Sequence, residues 1–288
     1  MTDYYSKIKD NSSRRKFKSR LMLTLCILAA MLAILPLVYI FFYTTIQGAS
    51  SLNLEFFTEL PKPVGETGGG MSNAIVGTLI LVGLGSAFGV PVGILAGIYV
   101  TEYSKSFFAN FVKFVTDVLS GIPSIIIGIF AYGLIVIPMQ RFSAYAGGFA
   151  LGLLMIPTVT RITEEMLKLV PHTIREAALA LGIPRWKTTL RIVLRTASGG
   201  IVTGILLAVA RAAGETAPLL FTSFGNSFWS STLDSPMASI PVQIFNYAIS
   251  PYDEWHGKAW AGAFVLISLV FIVSLLVRIA TRNKYSQN

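Results

Sequence analysis

Residues 171–195 read PHTIREAALALGIPRWKTTLRIVLR, the only long polar, charged run lying between apolar segments. Its flanks read as lipid-spanning helix, so this stretch must sit in water or against a partner. In its first half Ile174, Ala177, Ala178 and Leu181 fall on one helical face, with Arg175 and Glu176 turned elsewhere. Gly182 follows the last apolar position, where a helix commonly stops in a left-handed residue. Pro184 suits the first turn of a new helix carrying Trp186, Leu190, Val193 and Leu194, with four basic residues among them. The expectation is two short helices joined at Gly182, presenting an exposed knob. An amphipathic helix resting on the bilayer surface would use the same residues, but a position between two spans favours docking onto a partner.

Working outward, the composition is that of a membrane protein. Of 288 residues 53% are hydrophobic and only 13% charged, and the mean hydropathy is +0.66. Ordinary soluble domains do not look like this. The sequence pI near 9.7 could point to nucleic acid, yet the basic residues are distributed as membrane topology requires, so no nucleic-acid partner is expected. Cys26 is the single cysteine and lies inside an apolar run. It offers no disulfide framework and reads as a packing residue.

In chain order, residues 1–20 form a basic tail with seven Lys/Arg and two Asp. Residues 21–46 are too long an apolar run for a signal-peptide core and read as a retained first transmembrane helix, with Pro36 tolerated as a kink. Residues 47–71 leave the membrane as an external loop, in which PKPVGETGGG (61–70) reads as a flexible connector. From 72 to 280 the chain reads as one transmembrane domain, followed by a tail over 281–288. The second span covers 72–100, where Gly85, Gly89, Gly93 and Gly97 form a ladder of small residues. Such a ladder permits close helix approach, either within this chain or at a dimer seam. The third span, 115–137, contains Ser120-Gly121-Ile122-Pro123-Ser124. Either it is a broken helix lining a path, in which the two serines compensate the donor that Pro123 lacks, or a kinked packed helix. The fourth, fifth and sixth spans are expected at 144–162, 198–221 and 258–280, with a polar, aromatic loop joining the last two.

Six spans put both termini on one side. With the N-terminus in the cytoplasm, nineteen Lys/Arg lie inside against three outside, Lys62, Arg141 and Lys258. That asymmetry favours this orientation, and it puts the 171–195 knob in the cytoplasm.

No GxxxxGK[ST], HExxH or GxSxG occurs, so nucleotide hydrolysis, metalloprotease and esterase chemistry have no support in this chain. No cofactor is expected. Within the spans the notable charges are Arg211 and Glu215, four residues apart and therefore expected on one helix face. Ionisable groups at such depth are costly and mark either a functional path or an ion pair that locks helices together.

Glu176-Ala177-Ala178, then Gly182, then nine residues to Ile192 and Leu194, resembles the EAA loop of bacterial ABC importer permeases. It departs from that pattern at Arg195, where the family often has proline. Further, ARAAGETAPLL (210–220), SGIPSIIIG (120–128) and SPMASIPVQIFNY (235–247) are similar to the PstA-type permeases of bacterial phosphate ABC importers, over the chain from about residue 71. The resemblance implies an all-α integral membrane protein, a six-helix type I ABC importer permease with a cytoplasmic coupling helix, in the bacterial inner membrane. It implies three partners: a second, PstC-type permease subunit, a cytoplasmic ATPase dimer and an external phosphate-binding protein. ATPase coupling would involve Glu176, Ala177, Ala178, Gly182 and Ile192, and the substrate path Arg211, Glu215, Ser120 and Ser124. A permease for molybdate, sulfate or phosphonate, or a secondary transporter without an ATPase, remain the alternatives at this point.

Overall fold

The computed structural model describes residues 2–66 and 68–282, and every regular element among them is a helix. Before the charged run lie α1 (Thr2–Gly48), α2 (Leu54–Thr58), α3 (Ser72–Glu102), α4 (Phe107–Gly121), α5 (Ser124–Met139, with a π turn over Tyr132–Val136) and α6 (Ala144–Lys168). After it come α7 (His172–Ala180), α8 (Arg185–Ala213, with a π turn over Thr188–Val193), α9 (Ala217–Thr222), α10 (Ile240–Ala248) and α11 (Asp253–Arg282).

The bundle is organised by α3 and α6. Gly85, Gly89, Gly93 and Gly97 are all buried, and each lies against α6. A Cβ on Gly89 would stand 2.6 Å from the Gly152 carbonyl oxygen, and one on Gly97 would stand 2.7 Å from that of Thr160. The ladder therefore serves packing within this chain, letting two backbones approach as larger residues could not. Leu81, Leu151, Met155, Val159, Ala208 and Leu219 fill the adjoining core.

Five helices (α1, α3, α6, α8 and α11) are long and apolar enough to cross a membrane, and the α4–α5 pair makes a sixth crossing if it is counted as one span. Of the two readings of the third span at 115–137, broken or merely kinked, that pair matches the broken one. It bends by 107° at the break. The cause is local: Ile122, which precedes proline, is extended at ψ 130°, and Pro123 is extended at ψ 137°. A residue before proline is disfavoured in the helical region, so two extended residues in succession end one helix before the next begins.

At the N-terminal side the tail and first span are one helix. Pro36 lies inside it without ending it. Among the described side chains α1 packs on the rest of the chain through its last turns, where Tyr43 meets Trp260 edge-on at 5.1 Å and a Cβ on Gly48 would stand 2.8 Å from Ala261 N. Cys26, expected to be a packing residue, is exposed, because α1 has no neighbour at that level.

The 61–70 connector is not a flexible link. Met71 N–H donates to Phe56 O at 2.9 Å, Gly70 N–H to Leu60 O at 3.0 Å, and Lys258 Nζ to Gly68 O at 2.8 Å. A Cβ on Gly70 would stand 2.4 Å from Glu55 O, so glycine there serves close packing. The loop between the last two spans folds onto the same end: Asn73 Nδ2 donates to Asn226 O at 2.6 Å and Ile240 N–H to Thr78 Oγ1 at 2.8 Å. Phe56, Met71, Ala238, Ile240 and Tyr247 close this cap with a core of their own.

Candidate functional site

The candidate site residues fall in two places, and the first is the 171–195 knob. α7 ends as its sequence predicts. Gly182 has φ +76°, its N–H donates to Leu179 O at 2.9 Å, and Ile183 N–H donates to Ala178 O at 3.1 Å. That pair of bonds satisfies the last carbonyls of the helix in a Schellman turn. Ala178 is buried and Ile174 half-buried against the bundle, whereas Glu176, Ala177 and Gly182 are exposed and Ile192 is half-buried. Leu181, read on the same helical face as Ile174 and Ala178, is 80% exposed, and Trp186 is 60% exposed. The knob's apolar outer surface is thus open to a partner.

Its second helix is not short. α8 runs from Arg185 straight into the fifth span, absorbing one extra residue through the π turn at Thr188–Val193. Arg195 lies inside this helix, so the missing proline and the unbroken helix go together.

Arg175 is turned onto the body of the protein. It pairs with Glu102, the last residue of α3, and its Nη2 donates to Leu167 O in the last turn of α6 at 3.1 Å. Beneath the knob lies a cleft of about 610 Å³ lined by Glu102, Lys168, His172, Arg175, Glu176 and Arg185 among others. Sequence reasoning missed this linkage, since nothing in one sequence joins two residues 73 positions apart.

The second place is the break after α8. The helix ends at Ala213, so Glu215 lies beyond it rather than on a shared helix face as expected. The turn still brings the two groups together: Gly214 N–H donates to Arg211 O at 3.1 Å, Glu215 N–H to Ala212 O at 3.2 Å, and Arg211 Nε stands 3.6 Å from Glu215 Oε1. The guanidinium is 66% exposed and the carboxylate only 16%. An open guanidinium beside a shielded carboxylate can exchange that partner for an oxyanion.

The fifth predicted span, 198–221, is accordingly interrupted at Gly214–Thr216 before α9 begins. Both interrupted segments meet, because a Cβ on Gly128 in α5 would stand 2.5 Å from Pro218 Cα in α9. The serines take no part in that contact. Ser120 Oγ donates to Thr116 O at 2.8 Å within α4, Ser124 is half-buried at the start of α5, and among the described residues no hydrogen bond joins either to Arg211 or Glu215. Nor do three His, Cys, Asp or Glu side chains gather as metal ligands among the described residues.

An all-helical bundle with broken spans and a protruding loop helix is the architecture of a multi-span membrane protein. Residues 89–284 match the family of binding-protein-dependent transport system inner membrane components, and the chain belongs to that family. It is 45% identical over 271 residues to the phosphate transport system permease protein PstA of Yersinia pestis, covering 94% of this chain and 92% of that protein. The corresponding protein of Haemophilus influenzae is 43% identical over 271 residues, covering 94% and 96%. The probable phosphate transport system permease protein PstA of Methanocaldococcus jannaschii is 35% identical over 270 residues, covering 93% and 95%. The fold is shared with a bacterial ABC transporter involved in import of the acidic polysaccharide alginate (TM-score 0.60, 15% identity, 93% of this chain and 98% of that one). It is shared also with an inward-facing MetNI methionine ABC transporter (TM-score 0.56, 17% identity, 73% and 94%).

Proposed function

We propose that this chain is the permease subunit through which an ATP-driven importer carries inorganic phosphate across the inner membrane. The observation that carries this is its 45% identity, over 94% of its length, to a phosphate transport system permease. The chain itself performs no hydrolysis; that falls to a separate cytoplasmic ATPase dimer. An external phosphate-binding protein delivers substrate, and a second, PstC-type permease completes the path.

Both termini lie in the cytoplasm, as the nineteen-to-three Lys/Arg asymmetry supports. The knob then faces the ATPases. Its Glu176–Gly182 segment docks there, with Leu181 and Trp186 as exposed apolar anchors and Ala177, Ala178 and Ile192 setting the helix's seat. Closure of the ATPases on ATP moves α7, and the spans exchange inward-facing for outward-facing access.

Phosphate is a mono- or dianion at neutral pH, and its passage through a low-dielectric interior requires compensating positive charge. Arg211 supplies it, its planar fork suited to two oxygens at once. Glu215 holds the guanidinium when the path is empty and yields it when phosphate arrives, so binding is transient. Ser120 and Ser124, at the other break, line the same path.

The test is uptake of labelled phosphate by cells whose only phosphate permease pair contains this chain, with molybdate, sulfate and phosphonate as competitors. Competition by one of these at concentrations where phosphate itself competes poorly reassigns the substrate. Arg211→Gln is expected to abolish uptake while the ATPase still co-purifies, and Arg211→Lys to recover little. Normal uptake by Arg211→Gln removes that residue from the path, and failure to assemble makes the pair with Glu215 structural.

A further inference from the structure

Resting on the permease reading above, we propose that Arg175 is the positioning residue that fastens α7 to the ends of α3 and α6, so that any displacement of the knob moves those two helices as one body. Three observations carry this. First, one side chain reaches both helices: Arg175 pairs with Glu102 at the end of α3 and donates to Leu167 O in the last turn of α6 at 3.1 Å. A guanidinium presents its donors in a rigid planar fork, so two simultaneous partners fix an angle as well as a distance.

Second, the link is shielded. The Arg175 and Glu102 side chains are 17% and 21% exposed, whereas Arg161 and Asp117, an ion pair between α6 and α4, are each well over half exposed. An exposed pair is screened and contributes little. Removing one partner of a shielded pair leaves an uncompensated charge and is strongly disruptive.

Third, the helices so grasped are already joined. The Gly85–Gly97 ladder sets α3 backbone to backbone against α6, so a pull at their shared end cannot move one without the other. By contrast, α7 otherwise rests on the bundle through Ile174 and Ala178. Apolar contact is non-directional and lets a helix slide. The 610 Å³ cleft beneath the knob leaves room for such sliding once the fork is released. Arg175 is thus the part that turns a docked helix into a lever.

The experiment is a charge-swap cycle in the complete complex of both permeases, ATPase and binding protein: Arg175→Glu, Glu102→Arg, and the two combined. Each variant is scored twice, on ATP hydrolysis stimulated by loaded binding protein and on phosphate uptake per ATP hydrolysed. Each single variant is expected to assemble and to lose at least about tenfold in uptake per ATP, because each sets two like charges against one another where the fork now grips. The combined swap should return to within about threefold of wild type, since residues in direct contact are coupled rather than additive. A residue that merely stabilised the fold would change abundance and leave uptake per ATP untouched.

The proposal is overturned if the single variants keep wild-type coupling, or if the swap assembles and is as poorly coupled as the worse single variant. Should the single variants fail to accumulate, the neutral pair Arg175→Gln with Glu102→Gln decides. Hydrolysis without proportionate uptake supports the lever, and wild-type coupling overturns it. A wild-type complex that moves no phosphate, with swap-restored stimulation of hydrolysis, defeats the phosphate reading and not the lever. Phosphate uptake by the wild type without rescue in the swap defeats the lever alone.

Discussion

At the end formed by residues 49–71 and 223–252, large apolar side chains point inward: Phe56, Met71, Ile240 and Tyr247 are buried together. At the end formed by 171–195, Leu179, Leu181 and Trp186 point outward, on helices only partly seated on the bundle. The two ends draw on the same residue types and differ in what those residues fill. The cap closes over a core of its own, with Leu54, Phe228, Trp229 and Ile249 left exposed on its outside. The knob leaves apolar surface bare between two charged flanks, and such surface is explained by a second molecule. Substitutions should therefore separate: at the cap they cost stability, and at the knob they cost assembly.

The largest effect is expected at the cap. Phe56→Ala removes a buried ring from the cap core, a change that typically costs about 3–5 kcal/mol. The melting midpoint in detergent should fall sharply, while the fraction that remains folded still co-purifies with the ATPase. Loss of the ATPase at unchanged midpoint would erase the distinction between the two ends.

Next comes Leu181→Asp. An apolar anchor at the centre of an interface is commonly worth about 2 kcal/mol or more, and a carboxylate in its place adds a desolvation cost. The midpoint of the isolated permease should not move, since Leu181 touches little of it, but the ATPase should be lost from pull-downs and uptake with it. A drop in midpoint without loss of the ATPase would mean that Leu181 packs on this chain.

Which parts of this were legible beforehand follows from range. The turn at Gly182 was legible because its whole cause lies within six residues: an amphipathic run, a glycine, a proline. The break at Pro123 was half legible: the proline was visible, and the 107° bend depends on Ile122 being extended too. The cap was misread, since PKPVGETGGG has the composition of a linker, and only the close approach of Gly70 to Glu55 and of Gly69 to Lys62 shows that two of its glycines are there for close packing. At the candidate path, the pairing of Arg211 with Glu215 was legible from their spacing. The end of the helix between them was not, nor was the meeting of Gly128 with Pro218, two residues distant in sequence.

Gly182→Val is expected to have an intermediate effect. Its φ of +76° is one that a side chain resists, and nothing stands within 4 Å of a Cβ there. The penalty is conformational, about 1–2 kcal/mol for an L-residue in the left-handed region, not a clash. The permease should insert and melt only slightly below the wild type, with the knob misaimed and uptake reduced several-fold. Gly182→Ala, which lacks the β-branch, should fall between them. Wild-type uptake by Gly182→Val would show that the turn tolerates another geometry.

The smallest effect is expected at the rim of the cap. Arg141 and Asp234 meet at 2.8 Å, both side chains more than a third exposed. A hydrogen bond with the Thr232 side chain, followed by the charge of Arg141, holds the Asp234 carboxyl below the usual carboxylate range. A carboxylate whose pKa is lower in the folded state contributes stability above its unfolded pKa and loses it as pH falls through the folded value. Arg141→Gln takes away the lesser of the two causes and leaves an exposed, salt-screened site. The midpoint near neutral pH should hardly move, and the acid limb of the stability profile should shift slightly toward higher pH. Thr232→Ala removes the greater cause and should shift that limb further in the same direction. If Arg141→Gln instead lowered the neutral midpoint as far as Phe56→Ala, the cap would be held at its rim rather than by its core, and the contrast between the two ends would fail.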